Sequence, residues 1–288
     1  MSKFDHIEEV NKHIDHIDHV EKFNPYHDSK GRFASASGYS SFTFRTKDPK
    51  KQHMADMAIA RAKENNKEEK TKKAPEDRIK AILPAGAVVD LKGCDPDLAA
   101  GVADSFEAVF NKYPKAKEAV KEIVMMDTPD MVANKALAGF DQFRKRIVLS
   151  KRAYEDKEYL EEEYKKCLDQ KFHPEGTDIN ALVVHEIGHA LDHHVSYKVL
   201  GGERYFGNDE TISGEVWDAA IDTAVAAGIR YTNITIRDNL SVYASSHPHE
   251  YFAEAFCESM CSSSPREAAT NAMAIFDSYY NQLGGGAK

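Results

Sequence analysis

The sequence predicts an α+β domain, a small sheet succeeded by helices, carried behind an N-terminal extension. Three observations lead there. Short runs rich in β-branched residues, "KEIVMMD" and "RKRIVLSK", flank the middle of the chain. Long stretches with apolar residues three and four apart fill most of the chain beyond them. Before about residue 75, charge, serine and glycine dominate and leave little to bury. Strands first and helices after them make one of the stable layered arrangements of a single core.

The chain has 288 residues, 42% of them hydrophobic, enough for one domain of about 200 residues with a tail, or for two small domains. Its formal net charge of -9 repels a phosphate backbone, so nucleic acid is not expected as a partner. "MSKFDHIEEV" has acids where a secretion signal needs an apolar core, and no run approaches roughly 18 apolar residues. Neither a signal peptide nor a membrane span is expected. Four cysteines without a CxxC pair suit a reducing compartment. Cys257 and Cys261, one helical turn apart, are expected as free buried thiols.

In order along the chain, Phe4, Ile7, Val10, Ile14, Ile17 and Val20 form a helical stripe over residues 1–22. His13, His16 and His19 belong on its solvated face, since no carboxylate or thiol geometry singles them out as ligands. Pro25, Gly31, Gly38 and several serines break residues 23–44 into a loop. The charge-rich residues 47–78 read as an exposed helix fraying into a linker that ends near Pro75. The expected division is therefore an arm over 1–46, a charged helix or linker over 47–75, and a globular domain over 76–288.

Within that domain, Pro96 and a neighbouring acid open a helix that is amphipathic over residues 98–110. "DMVANKALAGFD" is expected as a third strand between the two named above. "YLEEEYKKCLDQ" is helical, "KFHPEGTD" a loop, and "INALVVHEIGHALDHHVSYKVL" a long helix. "SGEVWDAAIDTAVAAG", "PHEYFAEAFCESMCS" and "PREAATNAMAIFDSYYNQL" come after it as three more.

The long helix carries the chemistry. At about 100° per residue, His185 and His189 stand one turn apart on one face. Two imidazoles so placed can bind one zinc ion. Glu186 lies one residue round, where a carboxylate can take a proton from a water polarised at that ion. Histidines with backbone partners would fit the same spacing. However, Ala181, Leu182, Val183, Val184, Ile187, Ala190 and Leu191 surround the motif, and polar groups in such a setting cost stability unless they are satisfied.

A third ligand is needed. The metzincin pattern wants Gly three residues and His six residues after the second histidine; Asp192 and Val195 stand there instead. His193 and His194 have the wrong offsets. Asp192 lies a further turn along the face, past the metal position, which suits a supporting or capping role better than ligation. "HEYFAEAFCE" offers Glu250, Glu254 and Glu258 on one helix face, interrupting Phe252, Ala253, Ala255 and Phe256. Glu258 is expected to face water, and spacing alone does not separate Glu250 from Glu254.

"HEIGHALD" followed by "SVYASSHPHEYFAEAF" resembles the catalytic domain of anthrax lethal factor and the related Pro-Pro endopeptidases. In that family a tyrosine precedes the zinc-ligating glutamate by seven residues, as Tyr243 precedes Glu250 here. The resemblance spans about residues 75–283 and is strongest in the two motif segments. It implies a zincin-like fold with one Zn2+ on His185, His189 and Glu250, and Glu186 as general base. It further implies that the Tyr243 hydroxyl steadies the oxyanion and that Glu254 orients a ligand histidine. Residues 24–33 resemble the "NP.HD..GRF" segment of phage head-morphogenesis and minor capsid proteins, which implies phage or prophage origin. The expected function is thus a zinc metalloendopeptidase acting on peptide or protein, in a bacterial host's cytoplasm or on a virion, with phage structural proteins as further partners. "RKRIVLSK" or "DMVANKALAGF" would pair with extended substrate. A virion assembly protein with a non-catalytic domain, or a toxin-like effector protease, are the alternatives.

Overall fold

A computed structural model describes residues 73–201, 211–226, 228 and 233–284. The helix, loop and charged segment expected before residue 73 lie outside the described residues, as does part of the stretch after the long helix.

Helix α1 (Pro75–Ile82) opens with proline in its first turn and Glu76 and Asp77 at its positive end. It is tied down at once. Buried Arg78 pairs with Asp104 and, at 2.8 Å, with Glu107 of helix α2 (Pro96–Lys112), and Glu76 accepts the Leu91 amide at 2.8 Å. Asp95 caps α2 through the amides of Asp97 and Leu98. Leu98, Val102, Phe106, Val109 and Phe110 form its buried face, as the periodicity predicts.

Four short strands make one mixed sheet: β1 (Val88–Asp90), β2 (Glu122–Met125), β3 (Ala138–Asp141) and β4 (Arg146–Leu149). Their order is β1-β2-β4-β3, with β1, β2 and β4 parallel and β3 antiparallel to β4. The stretch expected as one strand over residues 130–141 is divided. Thr128 caps, and Pro129 opens, helix α3 (Pro129–Asn134), and Lys135 stops it in the left-handed region (φ 55). Only the subsequent Ala138–Asp141 pairs. Of the two strands expected to pair with substrate, β4 is bonded on both sides, whereas β3 is an edge strand.

Helices α4 (Lys151–Tyr154) and α5 (Lys157–Asp169) lead through a loop to the long helix α6 (Asn180–Leu200). After it come α7 (Ile212–Ala226), α8 (Asn233–Asn239), a 3-10 turn (Tyr243–Ser245), α9 (Pro248–Cys261) and α10 (Glu267–Tyr280). Helix α6 is buried nearly all round from Ala181 to Asp192, lying among α2, β3, α7, α9 and α10. One hydrophobic core runs from Ile79 to Leu283. The four cysteines are free, and no described helix is long and apolar enough to cross a membrane.

Helices α6 and α9 meet at Gly188. A Cβ there would lie 3.3 Å from the Ala253 Cα of α9 and 3.2 Å from Phe256 Cδ1. Gly188→Ala should therefore force the two helices apart and lower stability by about 1–3 kcal/mol, measured by denaturant unfolding. At the other end of α6, His194 is buried. Burial, with Lys145 and Lys198 nearby, pushes its pKa down to about 4. A histidine depressed in the folded state gives stability that is present above its ordinary value and lost as the pH falls. Between pH 6.5 and 4, stability of the wild type should thus fall more steeply than that of His194→Gln, read from urea midpoints across the range.

Candidate metal centre

The contact at Gly188 determines what α9 can offer α6. Ala253, the residue against Gly188, is flanked by Glu250 and Glu254, one on each side of the near-contact point. Both carboxylates consequently reach the histidine pair, and they do so differently.

Glu250 Oε2 lies 3.0 Å from His185 Nε2 and 3.2 Å from His189 Nε2, and the two Nε2 atoms are 3.0 Å apart. The three ligand atoms form a near-equilateral triangle. Zinc bonds of about 2.0–2.1 Å put tetrahedral ligand atoms about 3.3 Å from one another, so this triangle fits one face of such a site. The donor set agrees with that ion: two imidazoles and a carboxylate. The other Glu250 oxygen, Oε1, faces His249 Nε2 at 3.1 Å. Burial would raise the Glu250 pKa, but charge on His189 and hydrogen bonds from His185, His189 and His249 hold it far below the carboxylate range.

Glu254 is fully buried and stands on the opposite side of the His185 ring. Its Oε1 lies 2.8 Å from His185 Nδ1, an ion-pair distance without hydrogen-bond alignment, and 3.1 Å from His173 Nδ1. Ser241 Oγ donates to Oε2 at 2.8 Å. Burial opposes its charge, yet the two histidines bring the pKa down to about 2. The two glutamates that spacing could not separate therefore sit at different nitrogens of one ring, Glu250 at Nε2 and Glu254 at Nδ1.

Glu186 is 8% exposed, and its carboxylate accepts no hydrogen bond from the described residues. Burial raises its pKa, while attraction to His185 and His189 works the other way. A carboxylate left unbonded beside two histidines is free to exchange a proton with whatever enters. Tyr243 lies flat between two rings, His185 (centroids 5.6 Å apart) and Phe172 (4.9 Å). Burial and the Glu250 carboxylate raise its phenol pKa, which keeps the hydroxyl a donor.

Asp192 is not one of the three converging groups, though it lies near enough to His189 for their charges to attract. Its Oδ1 takes Ser196 Oγ at 3.2 Å and the Ser213 amide at 3.1 Å, holding the first turn of α7. Of the two roles open to it, it fills the capping one. His193 packs its ring toward Phe140. Glu258, expected to face water, is buried instead: Arg266 binds it through Nε (2.9 Å) and Nη2 (2.7 Å) and reaches the Leu240 carbonyl as well. That pair joins the ends of α9 and α10 because the chain turns back between them.

His173, Ser241 and His249 do not stand out in the sequence. His173 comes from a loop with no fixed spacing to the motif, and Ser241 has no distinguishing neighbours. His249 is legible in principle, as a histidine next to a candidate ligand. Comparison with known protein families, characterised proteins and solved structures finds no match to this chain.

Zinc titration of alanine variants should separate the two glutamates. Glu250→Ala removes an atom of the triangle and should abolish stoichiometric binding, whereas Glu254→Ala should weaken it about 10–100-fold. Equal binding by both variants would count against the distinction drawn between the two nitrogens.

Proposed function

We propose that this chain is a zinc-dependent metalloendopeptidase with a zincin-like fold, similar to lethal factor and the Pro-Pro endopeptidases, and encoded by a phage or prophage. The observation that carries the reading is the triangle of His185, His189 and Glu250 with the buried Glu186 carboxylate beside it. A bound zinc ion would lower the pKa of water and polarise a peptide carbonyl.

The chain's own groups supply the rest. Glu186 is the general base: buried, raised in pKa, and without a competing hydrogen bond among the described residues, it takes the proton of the attacking water and returns it to the leaving amine. Tyr243 presents a phenol donor beside the centre, where charge develops on the carbonyl oxygen. Its ring cannot tilt freely, being stacked between His185 and Phe172. Strand β3 is the peptide-binding edge, since its outer side bonds to no strand among the described residues and it packs against α6.

The test pairs metal analysis with cleavage. After reconstitution, mass spectrometry should find about one zinc per chain, and a peptide-library digest should show cleavage. Glu186→Gln should retain fold and zinc and lose cleavage. Tyr243→Phe should keep zinc while slowing turnover by about 10²–10³-fold, the usual size for one oxyanion donor. Zinc binding with no cleavage of any peptide would favour the assembly-protein alternative, and no zinc at all would overturn the proposal.

A further inference from the structure

The loop after α5 runs beside the turn that carries Tyr243. Val242 donates its amide to the Lys171 carbonyl at 2.8 Å, and Tyr243 donates to Phe172 at 3.1 Å. This pairing places Phe172 behind the Tyr243 ring and turns the next residue, His173, toward Glu254. The His173 ring lies flat on Tyr164, with centroids 5.4 Å apart and planes 15° from parallel. That support is itself held. Thr177 Oγ1 donates to the Pro174 carbonyl at 2.6 Å, so its one proton is used, and the Tyr164 hydroxyl donates to it at 2.7 Å.

Glu254 Oε1 is thus shared between two Nδ1 atoms, those of His173 and His185. An ionised carboxylate offers only acceptors, so His173 Nδ1 must donate to it, and the charge beside His185 Nδ1 favours the proton on that nitrogen. For the neutral His185 ring that a metal would bind, a proton on Nδ1 leaves the lone pair on Nε2, the atom facing His189 and Glu250. Ser241 restrains only Oε2. Without a donor at His173, Oε1 would lose its hydrogen bond and keep only the unaligned contact with His185 Nδ1. We infer that His173 is a positioning residue for the candidate centre, fixing through Glu254 the orientation and tautomer of His185 and thereby the affinity for zinc. The inference rests on the zinc reading proposed above.

Two substitutions separate hydrogen bonding from packing. His173→Phe keeps a ring on Tyr164 and removes the donor; His173→Gln keeps a donor and removes the ring. The measurements, on the full chain, are zinc affinity by chelator competition, the visible absorption of the cobalt-substituted protein, and melting of the metal-free protein. His173→Phe should bind zinc about 10–100-fold more weakly and shift the cobalt bands, with the metal-free melt close to wild type. His173→Gln should recover most of that loss. If His173→Phe does not fold, His173→Ala takes its place in the comparison with Gln. Wild-type affinity in both variants, or a Gln variant no better than Phe, overturns the inference while leaving zinc binding intact. A wild-type chain that takes up no zinc overturns this inference and the proposed function together.

Discussion

The seating of α9 against α6 at Gly188 governs the whole centre. With hydrogen in place of a side chain, the Ala253 backbone comes within contact distance of the α6 surface. Each neighbouring glutamate is then within reach of a histidine nitrogen. A helix pair held by ordinary side-chain interdigitation sits at about 8–10 Å between axes, and a carboxylate has a short, fixed reach. The glycine inside the motif therefore does for geometry what the two histidines do for chemistry. The same seating buries Phe252 and Phe256 in the core, so packing energy and ligand placement come from one interface.

That interface concentrates ionisable groups where burial penalises charge. His185, Glu186, His189 and Glu254 are all less than a tenth exposed. Removing a charge from water costs several kcal/mol unless a partner offsets it. Glu254 has three such partners and Glu250 has contacts from three histidines, so each is stabilised as an anion. Glu186 has none of comparable strength, and its pKa rises accordingly. A fold tolerates such an exception when the surroundings are otherwise well satisfied.

Much of this is legible in the chain. Helix α6 declares itself through an apolar run set between two loop segments, and α2, α9 and α10 through their periodicity. The central strands β2 and β4 are visible as β-branched runs. Strand β1 is not, because three residues show no alternation that could be told from a loop. The split of α3 from β3 is hidden for a different reason: Thr128 and Pro129 act as helix openers only if the residues after them fail to pair. At the site, His185, Glu186 and His189 come from spacing within one helix. The partners of Glu254 do not, since Ser241 and His173 arrive from separate loops and meet only in three dimensions. Glu258 misleads for a related reason, because its partner Arg266 lies beyond the end of its own helix.

Strand β3 has a further consequence. Its outer edge, which pairs with no strand among the described residues, is as open to a second copy of the chain as to any other extended backbone. Here the turn after it exposes Phe143, at 77% the most open large apolar side chain among the described residues. Arg144, Lys145 and Arg146 come directly after. Arg146 is engaged by Asp141 across the hairpin, at 3.1 Å, which ties down the acidic end of the strand and leaves the flanking charge cationic. Two copies paired in parallel along this edge would bring these cations together at the hairpin, a repulsion screened over about 10 Å at 0.1 M salt. Charge beside the edge thus disfavours that parallel pairing, most in dilute buffer and less as ionic strength rises.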